Sequence, residues 1–133
     1  MINYEKCMQL IMPEKIIQDG IGWLLGWDPQ RDSYRGLIGG EGWAIELTAP
    51  ELKDFCALLQ QLATAMESMA AELMPEETIT CEAETELLWM EVSGFASSYS
   101  VRFILNTGRG FEGEWGGAIA PAILQATQSL NLP

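Results

Sequence analysis

Histidine does not occur in this sequence, and lysine plus arginine number only 7 against 19 acidic residues. Without imidazole, Ser-His-Asp and Cys-His catalysis, His-ligated zinc and a histidine general base are excluded. The shortage of cations leaves a formal net charge of −12. A field of that sign repels a phosphate backbone and argues against nucleic-acid partners. Cysteine is also scarce. Cys7, Cys56 and Cys81 form no C-x-x-C pair, and an odd number suits reduced thiols better than a disulfide framework. No run approaches the roughly 20 apolar residues that a membrane-spanning helix needs. Charged residues interrupt the N-terminus at Glu5, Lys6, Glu14 and Lys15, which does not fit a secretory signal. The expectation is a soluble, cytoplasmic protein with no membrane partner and no bound metal or cofactor.

What is present is a globular composition. Hydrophobic residues make up 48% of 133 residues and charged ones 20%, enough for one domain with a substantial core. No basic residue lies between Lys53 and Arg102, while nine acidic ones do, so the negative charge concentrates there. That stretch predicts a solvated acidic surface, or a docking surface for a basic partner.

The clearest element runs from Thr48 to about Met74. Thr48 and Glu51 form a T-x-x-E capping box, and Pro50 occupies the first turn, where its missing N–H is harmless. Apolar residues recur at 52, 55, 56, 59, 62, 63, 66, 70 and 73, a continuous helical stripe that ends near Pro75. Upstream, Lys15–Asp19, Gly22–Asp28, Tyr34–Gly39 and Gly42–Leu47 have strand character, with Trp23, Leu25 and Trp27 on one side of the second. The Gly39-Gly40-Glu41-Gly42 reversal calls for residues tolerant of positive φ. Downstream, Thr78–Glu84, Leu87–Ser93, Tyr99–Asn106 and Phe111–Trp115 repeat the pattern before a second helix from about Ala120 to Leu130. Shifting the chain by 71 residues matches Gly39, Glu41, Gly42, Ala49 and Pro50 to Gly110, Glu112, Gly113, Ala120 and Pro121. The expected fold class is α+β, two β4-α repeats covering about 15–75 and 76–133 within one domain. Residues 1–19 would be an extension or contribute the first strand.

The stretches GWLLGWDP (Gly22–Pro29) and LIGGEGWAIELT (Leu37–Thr48), the long helix and Phe111–Trp115 resemble a cyanobacterial family of uncharacterised proteins. The resemblance begins near Gly20 and leaves residues 1–19 outside, with Met12 as an alternative start. It implies a fold similar to the Whirly-type single-stranded-DNA-binding transcription regulators, built from two β4-α repeats. It does not carry DNA binding with it. The KGKAAL motif of those regulators is absent, and a positive groove would have to be made from Arg31, Arg35, Arg102 and Arg109.

No catalytic constellation stands out. Gly108-x-Gly110-x-x-Gly113 matches a dinucleotide pattern but precedes a strand, so its glycines are better read as turn and bulge positions. Glu82, Glu84 and Glu86 alternate along a strand without the further oxygens a cation site needs. The most distinctive cluster is the Gly39–Trp43 reversal with Trp23, Trp27, Arg31 and Arg35 nearby in sequence, and the interaction candidates are Trp27, Arg31, Arg35, Gly40, Glu41, Trp43 and Arg109. Alternating tryptophans usually pack a core, but if exposed beside arginine they suit a protein interface. The favoured function is therefore a non-enzymatic protein–protein interaction module with an unidentified partner, a second copy included. A divergent single-stranded nucleic-acid binder comes second. An enzyme using Glu, Tyr or Cys comes third.

Overall fold

A computed structural model describes residues 14–130 and Leu132. Residues 1–13, and with them Cys7 and Met12, lie outside that range. The element order is β1 (Ile16–Gly20), β2 (Trp23–Trp27), β3 (Gly36–Gly40), β4 (Trp43–Leu47), α1 (Ala49–Ala70), β5 (Thr78–Glu84), β6 (Leu88–Phe95), β7 (Ser98–Leu105), β8 (Glu112–Trp115) and α2 (Ala120–Ser129). Each set of four strands forms its own antiparallel meander, sheet A from β1 to β4 and sheet B from β5 to β8. The architecture is α+β, with one long helix and one short.

Two hairpins of sheet A share the sequence G-x-G-W. Gly20 pairs with Trp23 around Ile21-Gly22, and Gly40 pairs with Trp43 around Glu41-Gly42. Gly22 and Gly42 take φ of 80° and 79°, a conformation that carries little penalty only without a Cβ. Gly39 and Gly40, expected in the reversal itself, instead stand in β3 with negative φ. Gly40 is glycine for another reason. The Trp43 indole folds back over it and fills the space a Cβ would need, as Trp23 does over Gly20.

One face of each sheet is apolar and turned inward. In sheet A, Leu25, Trp27, Ile38 and Leu47 are buried; in sheet B, Leu88, Met90, Val92, Val101, Phe103, Leu105 and Trp115 are. The two helices hold the sheets together crosswise. Helix α1 packs on β3 and β4 and also on β5 and β6, while α2 packs on β2, β7 and α1. The stripe Leu52, Phe55, Cys56, Leu59, Leu62 and Met66 is buried in this seam. Trp115 Nε1 donates to Gly39 O at 3.0 Å, fastening β8 directly to β3.

Helix α1 begins at the expected place, with both arms of the Thr48–Glu51 capping box formed. It ends at Ala70, short of Met74. Its last turn has no basic residue to meet the carbonyl end of the dipole, and Glu72 N turns back to Met69 O at 3.0 Å. The 71-residue repeat is real at the level of elements but not of register. Ala49/Ala120 and Pro50/Pro121 both fall in first helical turns, whereas Gly42 is a turn glycine and Gly113 lies inside β8.

Candidate functional site

The outward face of sheet A carries a transverse row that no sequence window displays. Strand register sets Ile17 beside Gly26, Gly26 beside Leu37 and Leu37 beside Glu46. Ile17 is 53% exposed, and the missing side chain at Gly26 leaves a trough between its neighbours. The trough is a cleft of about 140 Å³ reaching Lys15, Arg31, Tyr34 and Arg35 at its rim.

The β2–β3 loop shapes that rim. Asp28 N donates to Arg35 O at 2.7 Å and Arg31 N to Asp28 O at 3.2 Å, while Gln30 N donates to Asp28 Oδ1 at 3.1 Å. This is the Asx-and-proline turn that Asp28-Pro29 encodes. Arg35 Nε donates to Arg31 O at 2.9 Å, and Arg31 Nη1 to Glu46 Oε2 at 3.2 Å. Arg31 Nε also lies 3.9 Å from Asp28 Oδ2. Arg31 is thereby neutralised by two carboxylates, whereas Lys15 and Arg35 make no ion pair among the described residues.

Tyr34 connects this cleft to a second knot of polar groups. Its ring lies 5.1 Å from the Arg109 guanidinium. Arg109 donates to Glu46 O and to Glu51 Oε1, joining the β7–β8 loop to β4 and to the start of α1. Glu51 is only 2% exposed. Besides Arg109 it accepts from Thr48 N at 2.8 Å and Thr107 Oγ1 at 2.9 Å, so both its oxygens are bound.

The seven candidate residues therefore separate into two groups. Arg31, Arg35 and Arg109 gather around Tyr34 and Glu46, with Trp27 beneath them. Trp27 is 7% exposed, because the alternation that suggested a strand turns it to the inner face. It is among the residues that line the cleft, but it presents no open ring to solvent. Gly40, Glu41 and Trp43 sit at the opposite end of sheet A. Trp43 packs against Phe103, Phe111 and Trp115 with ring centroids 5.9, 5.5 and 5.1 Å away, and its indole covers Gly40. Of these three residues, only Glu41 is freely exposed. The tryptophans and arginines thus do not form one exposed patch: hydrophobic burial claims the rings and leaves the guanidinium groups outside. Sequence reasoning missed Lys15, Ile17, Tyr34, Leu37 and Glu46. Tyr34, an aromatic between Ser33 and Arg35 in a polar turn, was the visible signal.

Sheet B turns a different face outward. Glu82, Glu91, Arg102 and Glu114 form one row, and Glu84, Trp89, Ile104 and Glu112 the next. Arg102 lies over Trp89 at 5.3 Å and donates to Glu112. That hydrogen bond first, and the nearby carboxylates of Glu91 and Glu114 with it, raise the Arg102 pKa above its ordinary value. Among the described residues, no cluster of His, Cys, Asp and Glu is placed to hold a metal ion. Gly108 and Gly110 have positive φ in the β7–β8 loop, and a strand follows them. Cys56 is buried and Cys81 half-buried, both as free thiols. Burial pushes the Cys56 thiol up to about 12. No described helix is long and apolar enough to cross a membrane.

No curated protein matches the sequence. Among solved structures, the chain is similar to a protein of unknown function from Prochlorococcus sp. NATL2A, described as a member of the DUF155 family. The two share 31% identity with a TM-score of 0.82, over 86% of this chain and 97% of the other. That neighbour is cyanobacterial and uncharacterised, in keeping with the lineage that the sequence resemblance implied. Residues 18–130, nearly the whole described structure, match the family defined as a domain of unknown function, DUF1818, and the chain belongs to that family.

Proposed function

We propose that the protein is a binding module without chemistry of its own, and that it engages a protein partner through the outer face of sheet A. The observation that carries this reading is the cleft over Gly26, where an apolar floor lies open beside Lys15, Arg35 and Tyr34. At about 140 Å³ it is smaller than the roughly 300–1,000 Å³ of small-molecule sites, and it suits one side chain of a partner. The reduced thiols of Cys56 and Cys81 fit a cytoplasmic setting for this work.

The test is affinity capture from the host with the full chain and with a Leu37→Asp variant. The variant places a charge in the cleft floor while leaving the core untouched. A partner held by the parent and lost from the variant, at unchanged circular dichroism, is the expected result. Equal capture by both, or turnover of a small molecule by the parent, would overturn it. Sedimentation of the isolated protein separates a second copy from a foreign partner.

A second reading takes up the Whirly-type likeness. The β4-α-β4-α order supports it, as does the gathering of Lys15, Arg31 and Arg35 beside Tyr34. In this reading Lys15 and Arg35 hold phosphates and Tyr34 stacks on a base. Titration with oligo(dT) at low salt, following tryptophan emission, decides it. A spectrum unchanged at micromolar protein eliminates it.

A further inference from the structure

We propose that the sheet A cleft recognises one carboxylate set next to an apolar side chain of a partner protein. The proposal rests on the protein-binding reading and names the chemistry of the partner. Its apolar half follows from the floor. Ile17 and Leu37 flank Gly26, which has no side chain of its own; Leu37 Cδ2 lies 3.8 Å from where a Cβ would stand and forms one wall of the cleft. About 140 Å³ holds roughly five waters at bulk density, which one branched aliphatic side chain would displace.

Its acidic half follows from the charges at the rim. Three cations, Lys15, Arg31 and Arg35, meet two carboxylates, Asp28 and Glu46, so the lining carries 3 − 2 = +1 in a chain of net charge −12. Arg31 is already engaged by both carboxylates. Among the described residues Arg35 uses only Nε, on Arg31 O, which orients its guanidinium and leaves both Nη groups for a ligand. Lys15 likewise makes no ion pair among the described residues. A basic ligand would be repelled by these two, and an anion of higher charge by the molecule as a whole. A single carboxylate satisfies both constraints. Sheet B offers no such opening, because its one outward cation, Arg102, is held by Glu112 and flanked by Glu91 and Glu114.

Four acetylated, amidated hexapeptides test this against the ¹⁵N-labelled full chain by NMR titration at low salt. Their centres are Leu-Glu, Leu-Gln, Leu-Lys and Gly-Glu in a common Ser-Gly frame. The expected result is millimolar binding of the Leu-Glu peptide, with shifts at Gly26, Leu37 and the Arg35 side chain. The Leu-Gln peptide binds roughly fivefold more weakly, as loss of exposed ion pairs implies. The Leu-Lys and Gly-Glu peptides leave those signals in place. Lys15→Gln with Arg35→Gln removes the preference for Leu-Glu over Leu-Gln, while shifts from the leucine persist. Binding of Leu-Lys as tight as Leu-Glu overturns the proposal, as does the absence of binding by all four. Shifts of the same signals with protein concentration alone, or with oligo(dT) alone, would give the cleft a different occupant and also overturn it. If capture of a partner depends on Leu37 but not on Lys15 and Arg35, the protein-binding reading stands and this chemistry falls. The converse pattern, peptide binding without Leu37-dependent capture, separates the two the other way.

Discussion

Glu51 does three things from one buried position. It sits at N3 of α1, closes the capping box onto Thr48 N, and receives both the Arg109 guanidinium and the Thr107 hydroxyl. A carboxylate only 2% exposed persists there because each oxygen is satisfied. Glu51→Ala keeps the Thr48 Oγ1 cap on the residue 51 N–H but removes the return arm to Thr48 N, and it takes the carboxylate away from Arg109 and Thr107. The expected loss is about 3 kcal/mol in urea unfolding, mainly that of breaking a buried pair from one side. A loss below about 1 kcal/mol would show that the knot contributes little beyond solvent contacts. Cys56 gives a second residue-level expectation. Burial raises its thiol from 9.0 to about 12, so the folded state keeps a proton that the unfolded chain releases above pH 9. The stabilisation is complete below pH 9 and disappears as pH climbs towards 12, falling by about 1.4 kcal/mol per pH unit. Cys56→Val should flatten that part of the stability–pH curve. In the parent at pH 8, a thiol reagent should modify Cys81 and spare Cys56. Equal labelling rates in the folded protein would contradict the burial argument.

The hairpins show how much an element's sequence can announce and where it stops. Alternation of Trp23, Leu25 and Trp27, the capping box and the helical stripe each depend on neighbours within a few residues, so they were legible directly. The two G-x-G-W turns look alike in sequence, yet their two glycines answer to different physics. Gly42 has φ 79° with open space around a Cβ, so Gly42→Ala brings backbone strain alone, about 1 kcal/mol. Gly40→Ala instead drives a methyl into the Trp43 indole and pushes that ring off Phe103, Phe111 and Trp115. The expected cost is larger, about 2–3 kcal/mol. It should come with a changed near-ultraviolet circular dichroism spectrum, which Gly42→Ala leaves intact. Identical spectra for the two variants would mean that Trp43 does not rest on Gly40. Strand register, by contrast, was not legible. The trough Ile17–Gly26–Leu37 is assembled across three strands whose spacing depends on loop closure, and no local pattern marks it.

Across the whole molecule, net charge and fold pull the functional reading in opposite directions. The acidic surplus was legible, and the structure spreads part of it over the outward face of sheet B, where Glu82, Glu84, Glu91, Glu112 and Glu114 surround Arg102. The collection of Lys15, Arg31 and Arg35 at one cleft was not, since only the β2–β3 loop and the register of β1 bring them together. The same long-range assembly governs stability. Helix α1 follows sheet A in the chain but lies against sheet B as well, and α2 reaches back to β2. Trp115, Phe103 and Phe55 from different elements share one aromatic cluster, into which Trp43 of sheet A inserts. Each β4-α half alone would therefore leave a helix stripe and an inner sheet face in water, at roughly 1.5–3 kcal/mol for each large side chain uncovered. Peptides 1–75 and 76–133, expressed separately, should each lack a cooperative urea transition. Mixed together, they should regain one, along with the near-ultraviolet signal of the Trp43–Trp115 cluster and protection of the Trp115 indole N–H by Gly39 O. A cooperative transition in either half by itself would show that the crosswise helices decorate two independent folding units rather than make one core of them.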